Sequence, residues 1–84
     1  MPKQSRKAKK EARQRIELQF LKSKKALSPT TSQDEVAIQT AVEAETKMKW
    51  GKGTIHGDLQ SLEDQGKVAS TGSPTRWYLT SKEN

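Results

Sequence analysis

Lys47, Lys49 and Lys52 stand at short intervals just ahead of Thr54, His56 and Gln60, and Lys67 and Arg76 follow further along the chain. Cations set this way can neutralise phosphate groups and release counterions, which makes binding steeply salt-dependent. Gln60 has the side chain that contacts adenine bidentately, and Thr54 or His56 can donate to bases or phosphates. Gly53 and Gly57 let a backbone approach phosphates closely, and a helix beginning there favours an anion at its first amides. The chemistry on offer is binding rather than catalysis. There is no Ser/His/Asp set on a credible scaffold, no phosphate-binding glycine loop, and only one histidine and no cysteine for a metal. No enzyme activity, cofactor or metal is expected.

These residues need a frame, and the stretch from Gly53 to Leu79 provides it. Ile55, Leu59 and Leu62 are spaced i, i+4, i+7, which places three apolar groups on one helical stripe. Gly66 sits where a helix end wants a left-handed residue, and Lys67 beside it suits the negative end of the dipole. Val68 opens an extended run, Gly72-Ser73-Pro74-Thr75 makes a turn, and Trp77-Tyr78-Leu79-Thr80 is a strong strand former. In the hairpin Trp77 shares a face with Leu79 and points toward the helix. It either covers a thin core or reaches a sugar or base edge beside Arg76. Within the helix Asp58, Glu63 and Asp64 read as a solvated face, and the helix holds no Lys or Arg after Lys52.

The whole chain has 84 residues, with a mean hydropathy of −1.01 and 30% hydrophobic residues, so any core is small. The formal charge of +6 is unevenly placed. Residues 1–25 hold ten Lys and Arg against Glu11 and Glu17, a net +8, while residues 26–84 hold six against eight Asp and Glu, a net −2. Lys3, Arg6, Lys7, Lys9 and Lys10 therefore form a basic arm over 1–10. Its composition predicts disorder, and it is suited to following a phosphate backbone or lying in a minor groove. A domain over 11–81 and a tail at 82–84 complete the division.

Ala12, Ile16, Phe20 and Leu21 predict a first helix over about 11–25, closed by Leu27 and broken by Ser28-Pro29. Ser32 with Glu35 fits a capping box for a second helix over about 33–47, with Val36, Ile38, Ala41, Val42 and Ala44 as its apolar face. Trp50 anchors the turn between that helix and the next. The order is helix, extended link, helix, turn, helix, hairpin. That is an α+β arrangement of three helices plus a C-terminal β-hairpin.

The segments Arg15–Leu21, Thr30-Thr31 and 52–80 resemble the winged helix-turn-helix superfamily, over about 65 of the 84 residues. The wing residues Gly72-Ser73-Pro74-Thr75-Arg76-Trp77 are similar in style to those of the Zα domains, which bind left-handed duplexes. In that group a lysine, an asparagine and a tyrosine of the third helix act with a proline and a tryptophan of the wing. Lys52, Pro74 and Trp77 match these types, whereas the asparagine position is His56 and the tyrosine position is Gln60. The resemblance implies a small winged-helix nucleic-acid-binding protein, with double-stranded DNA ahead of RNA as partner. RNA or ribosome association and a protein–protein winged helix are the alternatives. No apolar run approaches a membrane span, and the basic start lacks the apolar segment of a signal peptide. An intracellular, cytoplasmic or nuclear location is therefore expected, though a transit peptide is also basic and poor in acids.

Overall fold

The computed structural model describes residues 6–80. Over these, α1 (Arg6–Ser23), α2 (Glu35–Thr46) and α3 (Lys52–Asp64) pack with β1 (Gln33–Asp34), β2 (Val68–Thr71) and β3 (Arg76–Leu79). The strands form one antiparallel sheet in the order β1-β3-β2. Lys3 and residues 82–84 lie outside the described residues.

The first helix begins at Arg6, ahead of the Glu11 start that its apolar spacing predicts. Residues 6–10 are thus helical rather than part of a disordered arm. Lys, Arg, Ala, Gln and Glu are good helix formers, and neither glycine nor proline interrupts the stretch. Only Leu21 of the expected stripe is fully buried. Ile16 and Phe20 are half-buried and Ala12 is exposed, because Arg13, Gln14 and Glu17 take the inner positions. Leu27 is 47% exposed and does not close the helix against the core. Instead the chain turns at Ala26, whose amide bonds to the Leu21 carbonyl at 3.0 Å and whose own carbonyl accepts the Leu79 amide at 2.7 Å. The end of α1 is thereby clamped to β3.

Ser32 and Glu35 do not form the expected capping box. Asp34 is the residue before α2, without a side-chain cap bond, and the Ser32 hydroxyl donates to the Pro29 carbonyl at 2.7 Å. Pro29–Thr31 forms a 3-10 turn, in which Thr31 Oγ1 accepts the amides of Leu27 and Ser28 at 3.0 and 3.1 Å. Ile38 and Val42 carry the inner face of α2, while Val36 is 63% exposed and Ala44 is also outward.

The end of α3 follows the sequence closely. Ile55, Leu59 and Leu62 are buried. Gly66 takes φ 78°, and the amides of Gly66 and Lys67 return to the carbonyls of Glu63 and Leu62 at 2.9 and 3.0 Å. The left-handed residue satisfies carbonyls that the helix end leaves open. Beyond it, β2 and β3 pair with Val68 opposite Leu79 and Ser70 opposite Trp77. Trp77 and Leu79 share the inner face, and Tyr78 is half-buried on the other. The link before α2 is more than a connection, since Gln33 and Asp34 pair with Trp77 and Arg76. This adds a third strand that covers the free edge of β3.

Candidate nucleic-acid interface

Two parts of the chain face each other across an open cleft of about 650 Å³. Lys52, Gly53 and His56 line it from the first turns of α3, Pro74 and Thr75 from the hairpin turn, and Asp34, Glu35 and Val36 from the start of α2. Gly66, at positive φ, turns the chain from the end of α3 into the hairpin, and Gly72, also at positive φ, opens the hairpin turn. Four of the residues singled out in the sequence (Lys52, His56, Pro74 and Thr75) therefore do come together. Gln60 is exposed on the same helical face as His56, one turn on. Ser73 is exposed in the hairpin turn itself.

The acids in this cleft have internal partners. Glu35 Oε1 accepts the Trp77 indole N–H at 3.0 Å and lies 2.7 Å from His56 Nδ1. The His56 ring meets Trp77 edge-on, with centroids 6.0 Å apart. Asp34 pairs with the Arg76 guanidinium, which also donates to the Ser32 hydroxyl and carbonyl. Lys52, by contrast, makes no ion pair within 4.0 Å among the described residues. At the start of α3 Gly51 offers no side-chain cap. The amides of Lys52 and Gly53 are thus open to an outside acceptor, whereas those of Thr54 and Ile55 donate to the Gly51 carbonyl at 3.1 and 3.2 Å.

Other expected contacts fall elsewhere. Trp77 is 1% exposed and belongs to the core, so its edge is not presented to a ligand. Arg76 is committed to the β1–β3 edge. Thr54 is exposed but lies two residues on from Lys52, away from the cleft face of α3. Lys47 and Lys49 are exposed in the turn before α3, with Lys47 left-handed at φ 57°. Lys7, Lys10 and Lys67 line a different groove, Lys9 is exposed on α1, and Arg6 is the first residue of that helix.

Asp58 is a plain correction: it is 2% exposed, not part of a solvated face. Its carboxylate receives Arg13 Nε at 2.6 Å and Nη2 at 3.0 Å, and its carbonyl accepts Gln14 Nε2 at 3.1 Å. The Arg13 guanidinium also lies over the Trp50 ring, 4.6 Å from its centroid. Trp50 is fastened to α2 by its amide to Glu43, its indole N–H to Thr46 and its carbonyl to Gln39. Glu17 is fully buried close by, and neither carboxyl oxygen has a hydrogen-bond partner. Burial, with the adjacent Asp58 charge, pushes its carboxyl up to about 10. The hydrogen bond to Asp58 holds the Arg13 guanidinium above its ordinary value.

This cluster fixes α1 against α3 and so sets how α3 is presented. It joins residues far apart in the chain, and no local spacing announces it. Asp34, Glu35 and Val36 were likewise missed as cleft residues; they read locally as the acidic start of a helix. Among the described residues no helix is long and apolar enough to cross a membrane. Comparison with protein-family models, with curated proteins and with solved structures finds no match for this chain.

Proposed function

We propose that this small α+β domain is a winged helix that binds nucleic acid, double-stranded DNA in the first instance, as an accessory factor in transcription or replication. The observation that carries the reading is the cleft itself. The first turn of α3 faces the hairpin turn with Lys52 in no ion pair among the described residues and with the amides of Lys52 and Gly53 uncapped, while Asp34 and Glu35 are held by partners of their own. A phosphate at the mouth of this cleft meets a cation and a helix N-terminus with little opposing free charge. Gln60 and His56 lie along the same helical face, where base edges would come within reach. Lys47 and Lys49 in the preceding turn add attraction that is felt over about 10 Å at moderate salt.

The test is to follow backbone amide shifts while a short DNA duplex is added. Changes centred on Lys52–His56 and Gly72–Thr75 support docking in the cleft. Changes confined to α1 do not.

A protein–protein role has one observation in its favour: Val36, 63% exposed, stands at the cleft beside Pro74. An apolar contact there suits a peptide or protein surface. Val36→Ser separates the two readings, because it removes the apolar contact a protein would use and leaves the charge that a phosphate meets unchanged.

A further inference from the structure

A second groove, about 520 Å³ in volume, runs between α1 and the later part of α3. Lys7, Lys10 and Arg15 line it from α1, and Gln65 and Lys67 from the turn that follows α3. On α1 Lys7, Glu11, Gln14 and Leu18 form the stripe at helical spacing, with Lys10 flanking it on one side and Arg15 on the other. On α3 the lining residues Ser61 and Leu62 lie roughly half a turn around the helix from Lys52, Gly53 and His56. The two openings therefore sit on different flanks of α3.

The groove is strongly one-sided in charge. It gathers Lys7, Lys10, Arg15 and Lys67 against the single acid Glu11, and none of the four makes an ion pair within 4.0 Å among the described residues. The first turn of α1 carries no acid, so its cations stand at the positive end of an 18-residue helix. That placement is unfavourable, as is the i, i+3 repulsion between Lys7 and Lys10. An anion supplied from outside relieves both. Ser61 and Gln65 add neutral donors for phosphate oxygens, while Gln14 is already committed to the Asp58 carbonyl.

We infer that the α1–α3 groove is a second phosphate-backbone site, which takes a nucleic-acid segment separate from the one at the helix-and-hairpin cleft. It rests on the nucleic-acid reading above for the class of ligand and extends it, because a protein with two such sites holds two duplex segments together.

The test is a bridging assay in which a bead-bound DNA duplex captures a dye-labelled duplex through the protein. It is run on the wild type, Lys7→Glu/Arg15→Glu, Lys67→Gln and Lys52→Glu, with folding checked by circular dichroism. Lys7 and Arg15 are exposed, so the double variant leaves the core alone, and Lys67→Gln is a milder second check. The double variant is expected to keep binding one duplex in the cleft with an unchanged slope of log affinity against log salt, and to lose bridging. Lys67→Gln is expected to reduce bridging several-fold. Bridging at the wild-type level in both variants overturns the inference and leaves the cleft reading standing. Loss of all binding in the double variant, with Lys52→Glu unaffected, would leave the groove as the sole site and overturn both the cleft reading and the two-site inference. A wild type that binds no duplex at low salt overturns both.

Discussion

Arg13 and Asp58, 45 residues apart, are joined by two hydrogen bonds of 2.6 and 3.0 Å beneath the surface. The pair ties α1 to the helix that lines the cleft, and the same guanidinium covers Trp50 at the start of that helix. Its strength comes from geometry: the arginine fork meets both carboxylate oxygens, and the Asp58 backbone is held by Gln14 as well.

Removing one member leaves a buried charge without its partner. Arg13→Ala is expected to lower stability by about 3 kcal/mol, measured by chemical denaturation. A domain of this size has only about 5–10 kcal/mol in hand, so much of the margin goes. Replacing both members with apolar groups, as in Arg13→Met/Asp58→Leu, is expected to restore most of it. A single variant as stable as wild type would show that the pair does not hold α3.

Glu17 makes stability depend on pH in an unusual direction. Its folded-state carboxyl sits near 10 against an ordinary 4.5. Between those values the folded chain binds the extra proton. Stability from this group is therefore complete below about pH 4.5 and declines as pH rises until the folded carboxyl titrates. Glu17→Gln is expected to flatten the dependence between pH 6 and 9 and to raise stability at pH 8. Parallel stability curves for wild type and variant would contradict this.

Much of the fold was legible because the signals were local. The spacing of Ile55, Leu59 and Leu62, the left-handed Gly66 and the Gly72 turn each describe a few neighbouring residues, and each stands as expected. What was not legible depends on distant partners. The two residues of β1 are too few to show alternation, and only β3 beside them makes a strand. Arg13 and Asp58 look like ordinary surface charges until α1 and α3 are in place. The cleft was half visible: Lys52, His56, Pro74 and Thr75 came from motif and turn chemistry, while Glu35 acquires its role from His56 and Trp77.

Arg76 and Trp77 mark the difference between shaping the cleft and touching a ligand. Arg76→Ala is expected to cost about 1 kcal/mol of stability by releasing Ser32 and Asp34. Its effect on DNA affinity is expected to be small beside that of Lys52→Glu. Trp77→Phe frees the Glu35 carboxylate from the indole N–H and is expected to act on melting before it acts on binding. Large affinity losses in either variant, with melting unchanged, would place these residues at the ligand.

Glu35→Gln keeps an acceptor for the Trp77 indole and removes a negative charge from the cleft wall. It is expected to tighten duplex binding by about two- to fivefold at low salt, with the gain fading as salt screens it. Weaker binding in this variant would mean that the carboxylate itself contacts the ligand.

Docking between α3 and the hairpin is tested by titrating a short duplex with wild type and Lys52→Glu at about 50 and 200 mM salt, with thermal melts of both proteins alongside. The expected result is binding by the wild type that weakens at least about tenfold between the two salts, together with about a tenfold loss in Lys52→Glu at an unchanged melting temperature. Absence of binding at the lower salt, or equal affinity in the two proteins, would contradict docking of nucleic acid between α3 and the hairpin.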